Sequence, residues 1–202
     1  MSSETSNSKK LAQIGNDSSR LRHQVQSRLR SLPLDVYHEE STEIVRHLAS
    51  WDILQKAEVV AAFHPSRTEP QIQPLLKSLV SQKVLLLPRV LPGNNMEMVQ
   101  VEDLHRDIHP GSFGLQEPHL SLKAWTGASP SVFLIPGVVF GKYGERIGHG
   151  GGYYDRFLAE YPETIRVGVA LSCQILSRKI PQNPHDIRMS YIVAPIGILP
   201  TS

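Results

Sequence analysis

Three short apolar runs constrain this chain more than anything else in it. They are residues 59–63 (VVAAF, closed by His64-Pro65), 84–87 (VLLL, closed by Pro88) and 132–135 (VFLI, closed by Pro136-Gly137). Each run is too short for a helix and shows no apolar–polar alternation, so each reads as a strand. A strand that is apolar on both sides must be covered on both faces, as in parallel sheets. Between these strands, residues 71–80 read as a helix with Leu75, Leu76 and Leu79 turned inward. Residues 96–101 alternate and suit a half-buried strand, and residues 166–170 and 191–194 supply the last strands. The pattern predicts an α/β fold: an open, largely parallel sheet flanked by helices in a Rossmann-like, three-layer, single domain. Ligands of such sheets sit beyond the carboxyl ends of the strands. The loops after Phe63, Leu87 and Ile135 are therefore where chemistry is expected.

Ahead of the first strand, Leu21, Val25 and Leu29 recur at helical spacing. Ser18 or Ser19 is placed to cap that helix and Pro33 to stop it. A second helix is expected over residues 34–50. Residues 1–17 are rich in Ser, Asn and Lys with no apolar stretch, and are expected to form a disordered leader rather than a secretory signal. The domain is expected to cover residues 18–197. The chain has 202 residues, 40% hydrophobic and 20% charged, enough for one core. Lys plus Arg is 21 against 19 for Asp plus Glu, a net charge of +2 with no long like-charge run, which speaks against nucleic acid as partner. A single cysteine, Cys173, excludes an internal disulfide and a multi-thiolate zinc site. No segment reaches the roughly 18 apolar residues of a membrane span. A cytoplasmic protein is expected.

The most informative stretch is PGVVFGKYGERIGHGGGYYDRFLAEY, residues 136–161. It carries glycine at 137, 141, 144, 148 and 150–152, between a buried strand and an expected helix over 153–161. Glycines let backbone N–H groups approach a ligand closely, and a helix N-terminus adds unpaired donors. With Arg146, whose planar fork matches phosphate oxygens, this makes an anion site. The stretch is neither a Walker A motif nor the dinucleotide fingerprint, because no Gly-Lys-Ser/Thr follows and Tyr153 replaces the last glycine. A flexible surface loop is the plain alternative. Tyr153-Tyr154-Asp155 directly after three glycines favours a site, since two aromatics and a carboxylate suit a planar ligand and a metal-bearing phosphate.

The run RIGHGGGYYDR, from Arg146 to Arg156, resembles the signature of the 5-formyltetrahydrofolate cyclo-ligase (5,10-methenyltetrahydrofolate synthetase) family. Leu87-Pro88-Arg89 is similar to the family's strand-end Pro-Arg. Pro110 to Gly114 with Glu117-Pro118 is similar to its Gly-aromatic-Gly and Glu-Pro segments, and residues 181–186 to its late Pro and His-Asp element. The resemblance runs in order from about Ser18 to Ala194.

It implies conversion of 5-formyltetrahydrofolate, with or without a polyglutamate tail, to 5,10-methenyltetrahydrofolate by a monomer using ATP and Mg²⁺. Arg146, Ile147, Gly148, His149, Gly150, Gly151, Gly152, Tyr153 and Tyr154 resemble the ATP phosphate site, joined by Arg22 and by Ser18 one turn before it. Arg146 and Tyr153 are the residues expected to act in catalysis. Glu69 is expected to hold the pterin, His64 to line the substrate site, and Phe113 and Tyr153 to flank the folate. Asp155 and Asp186 are expected to hold Mg²⁺. The chain departs from the family at two places. Ser18 stands where the family usually has lysine, and Gly141 where it often has Asp after Phe140. The first departure keeps a second reading open: a weakened homologue that binds folate or nucleotide in a regulatory role.

Overall fold

The computed structural model describes residues 2–111 and 114–201, with side chains from residue 9 onward. Helix α1 (Ser2–Ser31) leads into α2 (Leu34–Ala49), and Pro33 separates the two. Helix α3 (Asp52–Lys56), strand β1 (Val59–Ala61), helix α4 (Gln73–Gln82) and strands β2 (Val84–Leu91) and β3 (Asn95–Val101) follow. Strands β4 (Ile108–Pro110) and β5 (Gln116–Pro118) form a small hairpin. Next come β6 (Val132–Ile135), β7 (Val139–Gly141), β8 (Arg146–Ile147) and helix α5 (Tyr153–Leu158). Strands β9 (Ile165–Val169), β10 (Ile175–Leu176), β11 (Tyr191–Ala194) and β12 (Gly197–Pro200) close the chain.

The central sheet has seven strands in the order β12-β11-β9-β6-β1-β2-β3. Its five inner strands are parallel, and β3 and β12 are antiparallel edges. Alternate residues of each inner strand turn to opposite faces. Val60, Leu85, Leu87, Val132 and Leu134 pack with Ile44 and Leu48 of α2 and Leu75, Leu76 and Leu79 of α4. Ala61, Leu86, Phe133 and Ile135 pack on the other side with Phe140 and Leu158. Phe133 is 1% exposed and lies edge-on to Phe157 and Tyr161, at ring distances of 5.9 and 5.6 Å. Both faces are covered, as the unbroken apolar strands require.

Three expectations change. Helix α1 begins at Ser2, so residues 2–17 are helical and Ser18 and Ser19 lie inside the helix rather than capping it. Leu21 and Val25 are buried and anchor its second half. Once a helix is nucleated each further residue adds a hydrogen bond, and no proline interrupts the first half. Strand β2 continues through Pro88, which pairs with Met98 of β3. Strand β1 ends at Ala61, opposite Leu86, so Pro88 has a neighbour on one side only and its missing N–H breaks no inner ladder. Strand β12 carries the sheet to Pro200, beyond the expected end at 197.

Candidate active site

The sheet changes direction between β1 and β6. From β1 the chain steps to β2 on one side, and from β6 to β9 on the other. That switch point opens a crevice at the carboxyl ends of the strands. A cleft of about 780 Å³ lies there, reached by His64 and Glu69 after β1, Pro88 in β2, and Pro136 after β6.

One wall is the glycine loop. Arg146 starts β8 and is 6% exposed. Its Nη2 donates to Asp155 Oδ2 at 2.9 Å and its Nη1 to the Pro136 carbonyl at 3.4 Å. Its guanidinium lies 5.6 Å from the Tyr154 ring centre, and its buried Nε has no hydrogen-bond partner among the described residues. The loop then runs from Gly148 to Gly152. Among the described residues, none of its five backbone N–H groups donates to a carbonyl or side chain. Gly150 (φ 105°) and Gly152 (φ 66°) adopt left-handed backbone that other residues enter at a cost. Successive free amides in such a curve make a concave anion cradle. Arg22 of α1 closes the cradle from outside, its Nε donating to the Gly148 carbonyl at 2.8 Å. Helix α5 has six residues and ends at Leu158, short of the expected Tyr161. The candidate anion site is therefore made of loop amides and two arginines rather than of a long helix dipole.

The opposing wall carries Glu69, 7% exposed. Its Oε2 accepts the Ser66 backbone N–H at 2.8 Å. Its carbonyl accepts the Tyr37 hydroxyl and the Gln71 side-chain amide, each at 2.7 Å. Ser41 in turn accepts the Gln71 backbone N–H at 3.0 Å. One carboxyl oxygen and the backbone are thus locked, while Oε1 faces the glycine loop, 3.9 Å from His149 Nε2. Burial pushes the His64 imidazole below its ordinary value, so the ring is neutral near pH 7. Burial, and then the Glu69 charge, raises the Tyr154 phenol, which stays protonated.

Asp155 and Asp186 both line the cleft at the end of the loop wall. Asp155 Oδ1 accepts the Ile187 N–H at 3.1 Å, next to Asp186, while its Oδ2 is taken by Arg146. Asp186 Oδ2 accepts the Asn183 N–H at 2.7 Å, and its Oδ1 has no hydrogen bond among the described residues. No group of three or more metal-ligating side chains occurs among the described residues. The pair does not form a closed metal cage. It fits an ion that arrives with phosphate oxygens and water, since Mg²⁺ takes one or two carboxylates in such sites.

The cleft brings together Ser18, Arg22, His64, Glu69, Arg146, Ile147, Gly148 through Tyr154, Asp155 and Asp186. Phe113 lies outside the described residues. The sequence reading did not single out Gly15, Asn94, Met96 or Asn183, all of which line the cleft. Asn94 has a left-handed backbone (φ 60°) in the turn between β2 and β3, and its Oδ1 accepts the Tyr153 hydroxyl at 3.1 Å. The Pro92-Gly93-Asn94 turn was a signal for that conformation, but not for its docking on Tyr153. Arg89 is structural: it donates to Glu97 at 2.8 Å and to the carbonyls of His119 and Leu122 at 2.7 and 3.0 Å.

Both the fold and the sequence have known relatives. The structure is similar to that of 5,10-methenyltetrahydrofolate synthetase from Aquifex aeolicus, with a TM-score of 0.76, 27% identity, and coverage of 91% of this chain and 92% of that one. In sequence, the chain is 29% identical over 184 residues to 5-formyltetrahydrofolate cyclo-ligase of Mycolicibacterium smegmatis, covering 88% of this chain and 93% of the relative. It is 31% identical over 140 residues to the mitochondrial 5-formyltetrahydrofolate cyclo-ligase of Arabidopsis thaliana, where the match takes in 59% of this chain and only 50% of the relative. The model of the 5-formyltetrahydrofolate cyclo-ligase family matches residues 14–195, from the first turns of the cleft-facing half of α1 to the end of β11, and the chain belongs to that family.

Proposed function

We infer that this chain is an ATP-dependent 5-formyltetrahydrofolate cyclo-ligase, forming 5,10-methenyltetrahydrofolate, ADP and phosphate. The observation that carries the reading is one cleft with an unsatisfied amide cradle and arginines on one wall and an anchored carboxyl, Glu69, on the other. A triphosphate suits the first wall, and the adjacent N–H donors of a pterin suit the second. In this reading the formyl oxygen attacks the γ-phosphorus and the bond to ADP breaks, leaving an imidate phosphate. The N10 nitrogen then attacks the same carbon and loses its proton, and phosphate departs with the former formyl oxygen.

The chain's part is to position and to neutralise charge. Arg146 and the loop amides meet the γ-phosphoryl oxygens, and Arg22 meets the outer phosphates. Tyr153, steadied by Asn94, packs beside the folate with His64. Tyr154 keeps its proton and stacks under Arg146. Asp186, with Asp155 beside it, would hold a Mg²⁺ carried by the nucleotide, whose charge would draw electrons from the phosphate oxygens. The test is absorbance in the methenyl-folate band, with ATP, Mg²⁺ and 5-formyltetrahydrofolate supplied together and then omitted in turn. Product is expected only in the complete mixture. A folded protein that gives none above the enzyme-free control overturns the reading.

No described helix is long and apolar enough to cross a membrane.

A further inference from the structure

Glu145 is fully buried, at 0% exposure, one residue before Arg146. Its Oε2 accepts the backbone N–H of Tyr143 at 3.1 Å, and its Oε1 has no partner among the described residues. A buried carboxyl with one oxygen left over is costly, so its place needs a reason. The reason lies across the turn between β7 and β8. A Cβ built on Gly141 would meet Glu145 Oε2 at 2.4 Å and Ile180 at 3.1 Å. The carboxyl therefore occupies the space that a side chain at 141 would fill.

Position 141 is also a place from which a shorter carboxyl could close the same turn. An aspartate at the start of a turn accepts the N–H two residues on, in an Asx-turn. From position 141 that N–H is Tyr143, the group that Glu145 satisfies here. An aspartate at 141 would thus offer its oxygen to the same N–H from the other side of the turn.

We propose that Glu145 is a positioning residue that caps the β7–β8 turn in place of any side chain at position 141. It closes the β7–β8 turn from the far strand and so fixes the start of β8, where Arg146 stands. The hairpin geometry supports the link to the site. The Gly141 N–H donates to the Glu145 carbonyl at 2.9 Å, and Phe140 pairs directly with Arg146. A turn without its acceptor would loosen the strand from which Arg146 reaches Asp155 and the glycine loop. The role in ATP use rests on the function proposed above; the role in the turn does not.

The experiment moves the carboxyl. Glu145→Ala, Gly141→Asp and the double variant Gly141→Asp/Glu145→Ala are compared with wild type. Three readings are taken on each: melting temperature, hydrogen exchange of the Tyr143 amide, and Michaelis constants for ATP and for 5-formyltetrahydrofolate. Glu145→Ala is expected to expose the Tyr143 amide and raise the ATP constant by roughly tenfold, within the range that small misplacements of a positioning group produce. The folate constant should stay within about twofold, because Glu69 sits on a separate element. Gly141→Asp alone should lower the melting temperature, because two carboxyls compete for one space. The double variant should recover Tyr143 protection and an ATP constant near wild type.

A double variant no better than Glu145→Ala in both readings overturns the proposal, as does a Glu145→Ala protein with wild-type Tyr143 protection. Recovered protection without a recovered ATP constant overturns the link to Arg146. If wild type itself makes no product, the function reading has failed, and Tyr143 protection alone decides the turn. Should Glu145→Ala not fold, Glu145→Gln, which keeps the volume and an acceptor oxygen, is expected to retain Tyr143 protection; its loss would overturn the proposal.

Discussion

The glycine-loop wall of the cleft offers backbone donors, and the Glu69 wall offers a side chain that the backbone holds. On the first wall the N–H groups from Gly148 to Gly152 have no partner among the described residues, and Arg22 and Arg146 add charge at its two ends. On the second, Ser66 locks one oxygen of Glu69 while Tyr37 and Gln71 lock its carbonyl, so a single oxygen remains for a ligand. A backbone cradle suits an anion with many equivalent oxygens. A single oriented carboxyl suits a rigid heterocycle with donors at fixed spacing. The comparison predicts that the two walls can be damaged separately.

The largest expected effect is on the loop wall. Arg146→Ala removes a buried cation and leaves Asp155 without its partner. It should lower kcat/KM for ATP by about a hundredfold or more, the scale for losing a preorganised donor to developing charge. Arg146→Lys should recover only part of this, because a point charge lacks the fork. Steady-state kinetics, with folate binding measured separately by calorimetry, checks it. Folate affinity falling as far as ATP use would merge the two walls into one.

On the other wall, Glu69→Gln should weaken folate binding by about 1.5–3 kcal/mol, the range for a hydrogen bond to a charged group. ATP binding should hardly change. Calorimetric titration with each ligand alone is the measurement, and equal losses for both would point to a fold defect instead.

A smaller gain is expected where α1 meets the loop wall. Ser18 lies one turn before Arg22 and lines the cleft. Lys9 stands nine residues earlier, on the opposite side of the helix at 100° per residue, and is exposed. Ser18→Lys should add about 1 kcal/mol, roughly a fivefold gain in ATP affinity, that fades as salt screens it. ATP titrations at low and high salt, on this variant and on a chain beginning at Asp17, check it. A variant no tighter than wild type, with a shortened chain that binds poorly, would assign the role to the first half of α1.

Neither wall should respond to a fourth change. Asp107, in the loop after β3, is held at about 2 by the Arg106 guanidinium, with the backbone N–H groups of Glu102 and Asp103 helping against burial. Its folded value is depressed, so its contribution to stability is complete above its ordinary value near 4. That contribution is lost as pH falls through about 2. Wild type should lose stability between pH 4 and 2 more steeply than Asp107→Asn, read by denaturant unfolding at each pH. Parallel curves would remove Asp107 from the acid sensitivity. The ATP and folate constants of Asp107→Asn at pH 7 should match wild type.

Much of the site was readable because it is local. The run from Arg146 to Asp155 is contiguous, and its glycines announce the cradle before any coordinates. Glu69 and His64 were readable only through the family resemblance, since a lone acid before Pro70 or a histidine at a strand end carries no signal by itself. Asn94 and Glu145 were not, because each acts on a partner chosen by folding. Asn94 meets Tyr153 across the cleft, and Glu145 meets a backbone amide across a turn. Asp155 shows the same limit from the other side. Its place after the glycines suggested a metal, yet one of its oxygens holds Arg146 in position.

By itself the sequence determined the layers. Apolar runs at 59–63, 84–87 and 132–135 can only be buried on both faces, so a parallel sheet with helices on either side follows from hydration alone. It also determined where the backbone can approach a ligand closely, since the glycines at 148 and 150–152 can enter positive φ without the cost that other residues meet. The tertiary structure decided how far α1 extends, how β2 continues past Pro88, and which donors each carboxyl receives. Those outcomes depend on groups far apart in the chain coming within about 3 Å, a distance that local pattern does not encode and that packing of the whole sheet sets.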